Sequence, residues 1–158
     1  MFSLFEWRRS EVIFVVAVLV AILAISQIQL RIGQIKARDA QRKADVELVG
    51  RAIDDYHRDH DKFPLAKDGQ IVACGDLADL ACTWGGGPLR DAEGVVYLKA
   101  LPTDPLAAQG RKYVYEVDAK LQHYRIYVAL EYRRDVAWKD NLTTSCSNSI
   151  QCNWYVGN

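Results

Sequence analysis

The chain has 158 residues, 50% of them hydrophobic, and a formal net charge of zero from 20 basic and 20 acidic side chains. That length holds one compact domain plus an extended element. The charge balance gives no sign of a nucleic acid or another polyanion as partner.

The first element is announced by an acidic residue, Glu11, that opens the apolar run Val12–Ile25. The run alone is short for a bilayer, but Ile28, Leu30 and Ile32 extend it to about the ~20 residues a span needs, with Ser26, Gln27 and Gln29 as polar intrusions. No Pro or Gly interrupts the chain from Val12 to Ile32, so one helical rod is expected to begin in a membrane and continue into water. Arg8 and Arg9 precede the run and Arg31, Lys36, Arg38, Arg42 and Lys43 follow it, which leaves topology ambiguous on charge alone. A cleavable signal peptide is the rival for this segment; no small-x-small site closes it before Gln27–Arg31, and retention as an anchor is favoured.

From Lys36 onward Ala37, Ala40, Ala44, Leu48, Ala52, Ile53 and Tyr56 recur at spacings of three and four, and Asp39, Arg42, Lys43, Asp45, Glu47, Arg51, Asp54 and Asp55 fill most other positions. This predicts an amphipathic helix with the alanine stripe inward, so that Leu48 and Ile53 are buried against a sheet and the charged set is solvated. Phe63-Pro64 stops it. A continuous helix from Glu11 to Asp59 would be about 70 Å long, and its projecting half needs a packing partner outside its own domain.

Residues 65–111 read as irregular, with a turn at Gly85-Gly86-Gly87-Pro88 and a short helical candidate at Val95–Leu101. Lys112–Val117 and His123–Glu131 alternate as strands, with Tyr113, Tyr115 and Val117 on one face and Tyr124, Ile126, Val128 and Leu130 on the other strand's matching face; 118–122 supplies the hairpin connection. Asn153–Val156 is a third candidate. So small a sheet needs the helix to cover it, giving an α+β arrangement.

The four cysteines fall in two close pairs, Cys74 with Cys82 and Cys146 with Cys152. Local pairs in loop-rich segments read as two short disulfide loops in an oxidising compartment, each worth roughly 2–3 kcal/mol in the loop-entropy account. A zinc site fits less well, because neither pair is CxxC and neither has a neighbouring histidine. The soluble part is then expected outside the cytoplasm and the N-terminus inside.

Several segments together are familiar: the apolar helix led by Glu11, Ala37–Asp45, the helix end Asp59-His60-Asp61-Lys62-Phe63-Pro64, and Tyr97-Leu98-Lys99-Ala100-Leu101-Pro102-Thr103-Asp104-Pro105 before a Tyr-rich hairpin. In order along residues 11–131 they resemble the type IV pilin and type II secretion pseudopilin family, especially its G-type major pseudopilins. The resemblance implies a long membrane and stalk helix on a small antiparallel sheet, with residues 1–10 cytoplasmic, 11–35 the transmembrane and assembly half of the helix, and 36–158 a pilin-like globular domain. It implies a single-pass protein of the bacterial inner membrane, carried to a cell-surface filament if assembled. Its partners would be copies of itself or other pilin-like subunits, membrane lipid and the assembly machinery, with no enzymatic activity and no cofactor. Glu11 would stand where pilins carry the acidic residue held to pair with a neighbouring subunit's terminal amine; the alternative is a helix N-cap at the interface. The start departs from the family. Phe2-Ser3-Leu4-Phe5-Glu6 looks pilin-like directly after Met1, but Trp7-Arg8-Arg9-Ser10 breaks the apolar run and the family's Gly before the cleavage point is missing. An unprocessed, membrane-anchored accessory or binding domain is therefore the rival, with Trp84, Trp138 and Trp154 as ligand contacts.

Other chemistry is weaker. His57 and His60 lie among Asp54, Asp55, Asp59 and Asp61, but at a helix end solvated roles fit them better than metal ligation. His123 has no adjacent acid, no nucleophile motif occurs, and Gly85–Gly87 lacks the Lys-Ser/Thr of a phosphate loop. Asn141-Leu142-Thr143 is a formal glycosylation sequon. The family's calcium loop directs attention to Asp135, Asp140, Asn141 and Asn148, yet two aspartates five apart are a poor calcium set, and the second disulfide can staple the same loop.

Overall fold

The structure is a computed structural model that describes residues 9–158; the pilin-like start Phe2–Glu6 and the Trp7-Arg8 interruption lie outside the described residues. One helix, α1 (Arg9–His60), runs for 52 residues. The chain divides between Ala37 and Arg38 into two compact units.

In the first unit, the described residues are the N-terminal part of α1. Glu11 sits in its first turn, where a carboxylate suits the helix dipole. Every side chain from Arg9 to Leu30 is exposed.

The second unit joins the rest of α1 to eight short strands. Strands β1 (Leu65–Lys67), β2 (Gln70–Cys74) and β3 (Leu80–Ala81) form one antiparallel sheet in that order, β4 (Leu89–Arg90) and β5 (Val96–Leu98) a two-stranded hairpin, and β6 (Val114–Val117), β7 (Tyr124–Val128) and β8 (Trp154–Gly157) a third sheet. With α1 this is an α+β fold. Helix α1 ends because Asp61 takes a left-handed φ of 55° and its amide donates to the His57 carbonyl at 2.8 Å, which caps an orphan carbonyl before Pro64 can clash. The β1–β2 turn is Asp68-Gly69, with φ of 52° and 78°; two successive positive values define the tight turn that matches strand twist.

The main core lies between α1 and the third sheet. Val46, Val49 and Ile53 of the helix pack with Tyr113, Tyr115, Tyr124, Ile126, Val128 and Leu130, all buried. The alternation in β6 and β7 thus directs one face at the helix. Gly50 permits the closest approach: the Tyr124 hydroxyl donates to its carbonyl at 3.3 Å, and a Cβ there would stand 3.1 Å from that hydroxyl. The other face of the sheet is buried too, because Val114, Tyr127 and Ala129 pack under the Cys146–Cys152 loop. Buried Asn153 precedes β8 and serves as a strand residue through its side chain, accepting from the Leu130 amide at 2.7 Å and donating to the Leu130 carbonyl at 3.0 Å.

Three expectations differ from the structure, the first being that residues 65–111, read as irregular, hold strands β1 to β5. The inward face of α1 is not the alanine stripe. Ala40, Ala44 and Leu48 are exposed, while Asp39, Arg42, Val46, Val49, Ala52 and Ile53 are buried. The stripe that begins at Asp39 is displaced two residues from the one that begins at Ala37, about 200° around a helix, and the two merge only at Ala52 and Ile53. Val95–Leu101 is not helical either; Val96–Leu98 pairs with β4, as β-branched and aromatic residues after a left-handed Gly94 favour.

The rotated face separates two substitutions. Ile53 is 0% exposed and Leu48 is 42% exposed, so Ile53→Asp is expected to cost several kcal/mol and abolish cooperative unfolding. Leu48→Asp is expected to stay within about 1 kcal/mol of wild type. Thermal unfolding of the full chain in detergent micelles, followed by circular dichroism, checks both.

Candidate functional site

The apolar segment of α1 is the most conspicuous chemical feature of the molecule. Among the described residues this is the one helix long and apolar enough to cross a membrane, with a mean hydropathy of 2.6 over its best window and none of that window buried. Phe14, Leu19, Leu23, Ile28 and Leu30 are each more than half exposed. By length and composition this segment could cross a membrane, a test that a signal sequence also passes, and apolar surface of this kind gains roughly 25 cal/mol per Å² when removed from water. Glu11 is an exposed residue at the head of this surface.

The second feature is a buried ion network in the globular unit. Arg42 has no exposed surface. Its guanidinium donates to Asp104 through Nε (2.8 Å) and Nη2 (3.1 Å), and through Nη1 to Asp39 (2.7 Å) and Glu131 (2.6 Å). Glu131 also receives a two-pronged pair from Arg38, at 2.8 and 2.7 Å. Asp39 accepts the backbone amides of Glu131 and Tyr132 at 2.8–3.0 Å. Burial works against the charge on Arg42, but its hydrogen bonds to Asp104, Glu131 and Asp39 outweigh that and hold it protonated. Hydrogen bonding from Arg38, then from Arg42, pulls the Glu131 carboxyl down to about 2 against the opposing effect of burial. Nearby, Lys43 donates to both oxygens of Asp135 at 2.8 Å, and this bond, with the Ala137 amide, holds the Asp135 carboxyl below the usual carboxylate range.

Asp39 and Arg42 therefore stand opposite to their expected solvated role. The signal was present in the helical register, since 39, 42, 46, 49 and 53 alternate spacings of three and four. What conceals it is that Arg42's partners Asp104 and Glu131 are 62 and 89 residues away.

Both disulfides are formed, Cys74–Cys82 and Cys146–Cys152, and no free cysteine remains among the described residues. In the loop considered for calcium, Asp135 is engaged by Lys43 and Asp140 accepts the Trp138 indole N–H at 2.7 Å, while Asn141 and Asn148 are exposed. The three tryptophans expected to be exposed are half-buried: Trp84, Trp138 and Trp154 pack on the main core, Trp84 edge-on to Tyr113. His57 stacks on Phe63 with centroids 4.2 Å apart, whereas His60 faces Tyr97 and Asp91. His123 is exposed and its amide donates to Asp118. Gly86 closes a backbone turn onto Thr83. No family model, curated protein or solved structure matches the chain.

The network predicts a specific acid response. The folded pKa of Glu131, about 2, lies below its ordinary value, so its stabilisation is complete above about pH 4.5 and is lost as pH falls toward 2. Wild type is expected to lose on the order of 3 kcal/mol more than Glu131→Gln across that window. Chemical denaturation at pH 6 and pH 2.5 measures the difference, and equal losses would remove Glu131 from the account.

Proposed function

We infer that the chain is a structural subunit of a type IV pilus-like filament or type II secretion pseudopilus, held in the membrane and assembled through its N-terminal apolar helix. The observation that carries this reading is the wholly unburied apolar window of α1, part of the same helix that supplies Val46, Val49 and Ile53 to the core. Exposed apolar surface of that extent is stable in lipid or against neighbouring helices, and a filament subunit needs both in turn. The two disulfides support an extracytoplasmic domain on a single-pass inner-membrane anchor, since such bonds persist in oxidising compartments. Arg42 and Asp104, which belong to two of the segments that carry the resemblance to pilins, are bonded to each other. Exposed Ala40 and Ala44 leave room for close approach by a neighbouring subunit. No catalytic role is proposed for any residue.

A second reading, an unprocessed membrane-anchored accessory or binding domain of pilin fold, is favoured by one sequence observation: Trp7-Arg8-Arg9-Ser10 interrupts the apolar run that a processed pilin start would continue.

The role of Glu11 tests the filament reading. If Glu11 pairs across subunits, Glu11→Ala inserts into the membrane at normal abundance, since loss of a charge eases insertion, while filament yield falls at least tenfold. If Glu11 is an interfacial helix cap, its loss costs under about 1 kcal/mol and filaments persist. Electron microscopy of wild type, Glu11→Ala and Glu11→Gln at matched membrane abundance distinguishes these outcomes. Normal filaments from both variants would sink the pairing role, and no filaments from wild type would move the assignment to the anchored domain.

A further inference from the structure

The last turn of α1 meets the β4–β5 turn through four side chains that none of the foregoing roles uses. His60 closes the helix, Asp91 and Glu93 lie in the turn 91–95, and Tyr97 stands on β5. One ring nitrogen of His60, one Asp91 oxygen and one Glu93 oxygen all fall within 4.8 Å of one another. His60 is half-buried, Asp91 is buried and Glu93 is exposed, so the group is anchored at the base and open to solvent at the rim.

Two details of this geometry point to a cation. The first is spacing. His60 Nε2 lies 3.3 Å from Asp91 Oδ2 and 3.3 Å from the Tyr97 hydroxyl. Ligands of a tetrahedral ion bonded at about 2.0–2.1 Å stand about 3.3 Å apart. The second is proton supply. The Tyr97 hydroxyl is 2.9 Å from Asp59 Oδ2 and 2.9 Å from Asp91 Oδ2, but a phenol has one proton to donate. With that proton given to Asp59, the Tyr97 and Asp91 oxygens face each other without one, and a positive ion held at Asp91 Oδ2 offsets the repulsion. The C-terminal end of a helix, where His60 sits, also favours positive charge.

We propose that His60 Nε2, Asp91 Oδ2 and a Glu93 carboxylate oxygen bind a divalent transition ion of the zinc class, as a clasp between the end of α1 and the β4–β5 turn. One nitrogen and two carboxylate ligands, with water completing four-coordination, suit zinc. Calcium requires six to eight oxygens, which this group does not supply. Asp91 is held for the task from the other side, because its Oδ1 accepts the Val95 amide at 2.8 Å, leaving Oδ2 directed at His60. The helix aspartates beside His57 and His60 in sequence, Asp54, Asp55 and Asp61, are not among the ligands; the turn thirty residues on provides them instead.

The test uses the full chain in detergent micelles, stripped with a chelator and then titrated with zinc chloride. Wild type is expected to retain one zinc per chain after desalting and to unfold about 5–10 °C higher than the stripped protein. His60→Gln and Glu93→Gln are each expected to unfold at the same temperature with and without zinc, while His57→Gln keeps the zinc increment. Calcium and magnesium chlorides are expected to give no increment. The proposal is overturned if zinc leaves the wild-type unfolding temperature unchanged, if the increment survives intact in His60→Gln or Glu93→Gln, or if calcium reproduces it.

Discussion

A fully buried guanidinium constrains the globular unit more than any other single group. Taking the Arg42 charge out of water costs several kcal/mol, and only well-placed counter-charges with good hydrogen bonds offset that. The chain supplies them from three places: Asp39 one turn earlier on α1, Asp104 in the segment after β5, and Glu131 just after β7. Three carboxylates against Arg38 and Arg42 would leave an excess of negative charge, and the backbone amides of Glu131 and Tyr132 absorb it by donating to Asp39. The network therefore fixes where the segments after β5 and after β7 must lie on the helix. Lys43 and Asp135 extend the same seam. From there the chain returns as the Cys146–Cys152 loop, which covers the second face of the β6–β7–β8 sheet.

That constraint explains which parts of the fold were legible. Patterns governed by local periodicity could be read directly: the apolar rod, the alternation of Tyr113 and Tyr115 and of Tyr124, Ile126, Val128 and Leu130, and the helix stop before Pro64. The inward face of α1 could not, because a hydropathy pattern scores Asp39 and Arg42 as polar and assigns them to water, whatever partners the tertiary fold brings. Alanine at 37, 40 and 44 then offered a plausible but wrong stripe, since alanine is tolerated on either face. Other misses had local signals. Asp68-Gly69 between Leu65–Lys67 and Gln70–Cys74 is a strong two-residue hairpin signature, yet the segment read as irregular. Val95-Val96-Tyr97 has strand chemistry that outweighs the helical spacing. The His60 group was legible only in half, because its acidic members lie on a hairpin whose strands are two and three residues long.

The network also bears on how an apolar helix can serve outside its own domain. A helix whose inward contacts are directional ions and hydrogen bonds, as well as valine and isoleucine, has a defined register against its sheet. Its outward face is then equally defined, and on the globular unit that face carries Ala40, Ala44 and Leu48. Two disulfides secure the 74–82 segment and the loop over the second face of the sheet, so a small domain gains stability without enlarging its apolar interior. The described part of the N-terminal unit, by contrast, is almost wholly exposed.

The Arg42–Asp104 pair is the most direct point at which to test this account. A double-mutant cycle with Arg42→Met, Asp104→Leu and the combination, measured by chemical denaturation at pH 7, isolates their coupling. Each single substitution strands a buried charge and is predicted to cost about 3–5 kcal/mol. The double variant should recover at least about 2 kcal/mol of the summed loss, because it removes both charges together. Strict additivity, or single variants as stable as wild type, would contradict the claim that this buried pair organises the domain.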